Sequence, residues 1–256
     1  MLPPFTRALF VLAGILPLTC LLSPLLHAAP FPGGFIEQPA TATARPLLTQ
    51  SVILDLLPQR GKFTFPAPYH TEAVRLTNGD DCNGLDCVNF IGYSYWNNIN
   101  NHVGQDSMLI FLGLDRNLGG VGPSLLQYNK LTDAVDNLGP LFPASSPLSW
   151  ASGEGWYFSA SMPTALYIPD QSRLQRFDVI TETFTTVFDV TASLGSGHYL
   201  WQAHSSADDR VHSATLRQQG TWATLGCVAY KEDTRQLLYF PSKGAYDECQ
   251  VDKSGN

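Results

Sequence analysis

Basic residues are scarce in this chain. Lysine and arginine number 15 against 22 aspartates and glutamates over 256 residues, a formal charge of -7. That excludes the broad cationic footprint of a nucleic-acid binder and disfavours polyanionic partners in general. No long amphipathic helix can be drawn through the sequence, which excludes a helical bundle. There is no Cys-x-x-Cys pair to hold a zinc ribbon. No Gly-x-Ser-x-Gly elbow, P-loop or dinucleotide fingerprint occurs either. The glycines of "GLDRNLGGVG" lie between strand-like runs, not ahead of a helix.

What the chain does have is turn chemistry and a leader. With 21 glycines and 18 prolines but only 14 % charged residues, it suits a β-rich, turn-rich domain. At the start, Arg7 precedes the apolar run "ALFVLAGILPLTCLLSPLL" and the small residues of "HAAP". Residues 1–29 therefore read as a signal peptide cleaved near Ala28 or Ala29, giving a secreted or periplasmic protein. Pro17 and Pro24 interrupt the run, so no stable membrane span remains after cleavage. Thr19 is too large to favour lipidation at Cys20. Removing the leader leaves Cys82, Cys87, Cys227 and Cys249, an even number in an oxidising compartment. Four cysteines allow three connectivities, and the short "CNGLDC" loop points to Cys82–Cys87 with Cys227–Cys249 as the second bridge.

Residues 30–64 form a Pro/Ala/Thr-rich lead-in, and from residue 65 onward short β-branched and aromatic runs alternate with Gly, Asn, Asp and Pro turns. The runs repeat. "LLQYNKLTDAV" and "LQRFDVITETF" share Leu-x-x-aromatic-Asn/Asp-x-x-Thr-Asp/Glu, with Tyr128 and Phe177 separated by 49 positions and Tyr230 lying 53 further on. A fixed period near fifty marks a propeller or solenoid array. A second alignment sets "CQVDKSGN" against "WQAHSSAD" at a shift of 48, and "NNHVGQDSMLIF" against the same stretch at a shift of 102. It places Asn100, Glu154 and Gln250 opposite Gln202, and His102, Trp156 and Asp252 opposite His204.

A polar strand, a Ser-x-Asp-Asp or Lys-Ser-Gly-Asn turn, an apolar strand and then Leu-x-x-aromatic-Asn-x-x-Thr resembles the repeat of exported β-propellers related to TolB. The turn here is "SSADD" where such repeats commonly carry Ser-Pro-Asp-Gly. The resemblance implies an all-β fold: a β-propeller of four-stranded blades of about 50 residues over 65–256. About four blades fit, the last truncated. This is either a four-blade ring or an incomplete, N-terminal part of a larger propeller; the second is expected, because an unfinished last sheet leaves an edge that seeks partners. In such folds the strand before the turn is innermost and lines the channel.

On a regular strand, residues i and i+2 share a face. Asn100/His102, Glu154/Trp156, Gln202/His204 and Gln250/Asp252 would then point into that channel as a ligand-binding lining. Two functions fit. One is an exported, non-catalytic propeller that binds a protein partner, glycan or small ligand through its channel face and blade loops. The alternative, implied by similarity to oligogalacturonate lyases, is a uronate lyase. There a divalent metal on His102, Gln202 and His204 would acidify the proton beside a uronate carboxylate, and Arg210 or Lys253 would pair with that carboxylate. The acidic loop with Asp80, Asp81, Asn83 and Asp86 lacks EF-hand spacing and reads as a disulfide-closed turn. Trp96, Trp150, Trp156 and Trp201 flank the inner-strand candidates, suited either to sugar stacking or, as expected, to interblade packing. His212, on the strand after the turn, reads as a hydrogen-bonded core or interblade histidine.

Overall fold

The computed structural model describes residues 49–255, apart from 57–58, 66–69, 91, 93–95, 243 and 245. The leader and residues 30–48 lie outside the described residues. A short helix, α1 (Gln50–Leu56), opens the described chain, and β1 (Gly61–Thr64) then pairs antiparallel with β2 (Glu72–Arg75).

Three antiparallel meanders follow. The first joins β3 (Val88–Phe90), β4 (Ile99–Asn100), β5 (Ser107–Leu114), β6 (Gly122–Asn129) and β7 (Val135–Pro140), with β3 and β4 sharing one edge of β5. The second runs β8 (Tyr157–Phe158), β9 (Ala165–Asp170), β10 (Arg173–Asp178) and β11 (Thr183–Asp189). The third runs β12 (His198–Ser205), β13 (Val211–Gln218), β14 (Thr224–Lys231) and β15 (Gln236–Pro241). Strand order equals chain order in the last two sheets, the up-and-down blade of a propeller.

The repeat has a structural cause. Tyr128, Phe177 and Tyr230 all sit on the third strand of their sheets, facing Met108, Leu166 and His212 respectively. One residue after Tyr128 and Phe177 a polar side chain closes the hairpin. Asn129 Oδ1 accepts the N–H groups of Leu131 and Thr132 at 2.9 and 3.1 Å, and Asp178 Oδ1 accepts those of Ile180 and Thr181 at 3.0 and 2.8 Å. These side chains mimic a backbone turn, so the Asn/Asp-x-x-Thr motif fixes strand ends as well as text.

The core lies in layers between sheets. Phe111 and Leu125 of the first sheet meet Leu166, Ile168 and Phe177 of the second, together with Phe142 and Trp156. Tyr167 and Leu174 of the second meet Leu200, Ala214 and Leu216 of the third. The far face of the first sheet, Ile110, Leu112 and Leu126, is covered by Cys82 and Cys87. Both expected bridges are present, with Cα atoms 5.7 Å apart at Cys82–Cys87 and 5.8 Å at Cys227–Cys249. The acidic turn is spent on holding this cover. Burial alone pushes the Asp81 carboxyl up, but Arg60, the Asn78 N–H and Asn137 all donate to it and leave it below its ordinary value. Replacing Cys82 and Cys87 together by serine should lower stability by about 2 kcal/mol, the loop-entropy value for so short a ring. An unchanged urea midpoint would show that the loop is not a structural cover.

Residues 246–255, where the repeat would start a fourth blade, form no strand. They lie along the third sheet instead: Ser213 Oγ donates to the Cys249 carbonyl at 3.0 Å, Thr215 Oγ1 to that of Asp247 at 3.1 Å, and the Ala207 N–H to that of Lys253 at 3.0 Å.

Candidate ligand groove at the inner strands

The ladder partners define which inner-strand residues are equivalent. Asn100 faces Leu109, Tyr157 faces Tyr167 and His204 faces Ser213. Those partners each follow the residue opposite Tyr128, Phe177 or Tyr230, so Asn100, Tyr157 and His204 are the matching set. This corrects the sequence alignment, which put Asn100 opposite Gln202 and Trp156 opposite His204. The cause is a bulge in β12. Trp201 pairs with Thr215 but His204 pairs with Ser213, and Gln202 takes a φ of 51°. One extra residue turns the side chains after it to the other face.

The expected i, i+2 lining therefore divides. His204 is only 7 % exposed and turns inward, its ring stacked on Trp96 at 5.7 Å. Burial is the main cause that lowers its pKa and holds it neutral. Gln202 turns the other way, and its Oε1 is buried without a hydrogen-bond partner among the described residues. Trp156 is 4 % exposed in the core, while Glu154 is exposed. Asn100 is buried; His102 sits past the end of β4, its Nε2 3.3 Å from the Ser159 carbonyl. Gln250 donates to Glu248 at 2.6 Å, and Asp252 accepts from Ser254; both are exposed and lie off any strand. Arg210 is an exposed turn residue 3.9 Å from Asp208. His102, Gln202 and His204 are thus not gathered around one point. Among the described residues no cluster of three or more His, Cys, Asp or Glu side chains is placed to hold a metal. The residues do not fit the metal that the lyase alternative requires.

A different grouping emerges around the bulge. Two adjoining clefts, of about 610 and 360 Å³, share Glu154, Trp201 and Gln202. The larger is closed by Trp96, Trp222, Arg217, Asp247 and Glu248. Trp222 forms the centre of an aromatic corner, 5.4 Å from Trp201 at 85° and 4.9 Å from Tyr199. It belongs to the β13–β14 turn, has a φ of 60°, and is 50 % exposed. A bulky residue in that conformation is uncommon and carries strain. Arg217 braces it, donating to the Trp222 carbonyl at 3.1 Å and to Asp247 Oδ1 at 3.3 Å. Trp222 and Arg217 went unread in the sequence; the bulky aromatic within the "QQGTWAT" turn is the signal that could have found Trp222.

Two networks lock the sheets behind this groove. Trp96 Nε1 donates to the Ala203 carbonyl at 3.1 Å, joining the first blade to the third. Tyr157 of β8 shares a 2.8 Å hydrogen bond with Ser205, whose Oγ lies 2.5 Å from His212 Nδ1; His212 Nε2 lies 2.9 Å from Glu232. Glu232 must accept, so His212 carries a proton on Nε2. Burial raises the Tyr157 pKa well above its ordinary value, which keeps the phenol protonated to donate. The order serine, histidine, carboxylate is that of an acyl-transfer site. Here, however, the serine hydroxyl is engaged on both sides, and Arg176 of β10 adds a 3.6 Å contact to Glu232. The arrangement is a blade-to-blade link, as the sequence position of His212 suggested.

This link has a pH signature. The His212 bond, ahead of burial acting in the opposite sense, leaves the Glu232 carboxyl below its ordinary value of 4.5. A depressed carboxylate stabilises the fold above its unfolded pKa, and that contribution is lost as pH falls through the folded value. Acid titration of Glu232→Gln should therefore show a shallower loss of stability below about pH 4.5 than the parent. Parallel acid-melting curves would rule out the link.

Fold and groove together define a propeller-type blade array with a polar and aromatic cleft at its inner strands. No protein-family model matches the chain, and no curated protein does. Among solved structures it is similar to oligogalacturonate lyase from Vibrio parahaemolyticus, at 12 % identity and a TM-score of 0.44, covering 70 % of this chain and 48 % of that one. It is also similar to TolB from Acinetobacter baumannii, at 12 % identity and a TM-score of 0.41, covering 72 % and 38 %. A third, an oligogalacturonate lyase in complex with manganese, shares 13 % identity at a TM-score of 0.44, covering 70 % and 48 %. The chain spans less than half the length of each of these proteins.

Proposed function

We propose that this chain is an exported, propeller-type binding protein that holds a small ligand or a segment of a protein partner in the Trp201–Gln202 groove and performs no chemistry on it. The observation that carries this reading is the pair of clefts sharing Glu154, Trp201 and Gln202, opened by a bulge that breaks an otherwise regular strand. Clefts that join aromatic walls to a few convergent polar groups are the ordinary form of a ligand site. The buried, unsatisfied Oε1 of Gln202 supports it, since such a group is costly unless a partner answers it. Export is supported by the leader and by two disulfides that require an oxidising compartment. Further blades belong to the same proposal. They are supported by the apolar pocket at Val228, Ala229 and Leu238, flanked by Tyr239 and Phe240 at 39 % and 53 % exposure.

The uronate-lyase alternative gains nothing from this groove, in whose lining carboxylates outnumber the single basic side chain, Arg217. A thermal-shift panel of oligosaccharides, peptides and organic cations separates the readings when run beside a uronate-polymer assay. Binding is expected to raise the melting midpoint, with the rise abolished in Gln202→Ala, and no unsaturated product should absorb in the ultraviolet. Chelator-sensitive release of such a product would overturn the proposal in favour of the lyase.

A further inference from the structure

We infer that the occupant of the large cleft is a weakly hydrated organic cation, a quaternary ammonium or guanidinium group held between indole faces and carboxylates. This rests on the reading of the groove as a binding site and names its ligand class. Three carboxylates line the cleft, Glu154, Asp247 and Glu248, against one guanidinium, Arg217, a balance of -2. Within that balance Arg217 is spent on Asp247 and on the Trp222 carbonyl, so the remaining -2 is carried by Glu154 and Glu248. The adjoining cleft has one further carboxylate, Asp170, which is paired with Arg173 at 3.2 Å and so adds little to the charge balance. An anionic sugar would enter a field of the wrong sign.

The aromatic surface supplies the second half of the argument. Trp201 and Trp222 line the large cleft and Tyr199, from the adjoining cleft, packs on Trp222. Trp96 borders the large cleft but is 2 % exposed and stacked on His204, so it offers little face to a ligand. Indole faces carry negative quadrupole density and attract cations, indole most strongly of the aromatic side chains. A quaternary ammonium or guanidinium sheds its water at lower cost than a compact ammonium, so it gains most from such a wall. Neutral sugars also stack on indoles, but they draw no Coulombic benefit from the net -2 of the lining. The two non-glycine residues with positive φ on this cleft, Gln202 and Trp222, are also the ones the bulge and the turn direct toward it. Strain of that kind persists where surrounding structure holds a residue for a task.

The test is titration of the full chain by calorimetry and tryptophan fluorescence. The probes are choline, acetylarginine methylamide, the neutral carbon isostere of choline (dimethylbutanol) and galacturonate. Choline or the arginine amide should bind at least about tenfold tighter than the neutral isostere, weakening as salt is raised. A tighter choline points to a free small molecule, and a tighter arginine amide to a side chain of a protein partner. Trp222→Ala should weaken the preferred cation roughly 5- to 30-fold. Glu154→Gln, on an exposed segment, should weaken it about fivefold and serves as the second variant if Trp222→Ala disturbs the turn. Equal or tighter binding of dimethylbutanol or galacturonate would overturn the charge argument while leaving the groove a binding site. Absence of binding by both cations also overturns it; if no compound in the wider panel perturbs Trp222 either, the groove reading fails with it.

Discussion

Phe177→Ala is expected to cost about 3–5 kcal/mol, the usual range for truncating a buried phenylalanine. Phe177 is 2 % exposed, and its ring lies 5.0 Å from Phe142 and 4.6 Å from Phe184. It faces Leu166 within the second sheet and packs in the layer shared with the first. Phe142 is itself held against Trp156 at 5.6 Å, so collapse into the space left would fall to the half-exposed Phe184. The equivalent aromatics should be less sensitive. Tyr128 and Tyr230 are only partly buried, so Tyr128→Ala and Tyr230→Ala should each cost clearly less. Urea unfolding of the three variants checks this ranking. Equal costs at all three positions would mean that the repeat aromatics do not differ in packing as described.

Asp209→Ala should cost about 3 kcal/mol through a different mechanism. Asp209 is 5 % exposed in the turn after β12, with a φ of 58°. Its carboxylate collects four donors from the turn after β8. Oδ2 accepts from Ser159 Oγ at 2.6 Å, Ser161 N–H at 2.8 Å and Ser161 Oγ at 2.5 Å, and Oδ1 accepts from the Ala160 N–H at 3.3 Å. Truncation removes a charge-assisted acceptor and leaves these donors to find water at a blade interface. Asp209→Asn tolerates the same backbone but turns an amide N–H toward hydroxyl and amide donors, so it should rescue only part of the loss. A double-mutant cycle with Ser161→Ala should be strongly non-additive. Additive energies would show that the second and third blades are not joined here.

The architecture was legible because its signals are local. The Asn129 and Asp178 turns, the aromatic before each of them, and the Cys82–Cys87 spacing all act within a few residues of themselves, so text and structure coincide. The site was less legible, because its register depends on one inserted residue. The alignment that put Gln202 and His204 on one face assumed an unbroken pleat. The bulge at Gln202 separates them, sending His204 behind Trp96 and Gln202 into the groove. The interblade acceptors Asp209 and Glu232 were hidden for another reason. Their partners in the neighbouring sheet lie about 50 positions away in the chain, as at Ser159–Asp209 and Arg176–Glu232, and no short motif records a contact made across sheets. Trp96 and Trp156 followed the expectation of interblade packing, whereas Trp201 acquired Trp222 as a partner that no repeat comparison supplied.

Four of the five tryptophans divide, two sealed between blades and two opening on the groove, while Trp150 stands exposed beside Arg116. Oxidative footprinting with mass spectrometry reads this directly. Trp150 and Trp222, 62 % and 50 % exposed, should react fastest, half-buried Trp201 should follow, and Trp156 and Trp96, at 4 % and 2 %, should stay protected until the chain unfolds. Oxidation of Trp96 or Trp156 at the rate of Trp222 in the folded chain would contradict the account.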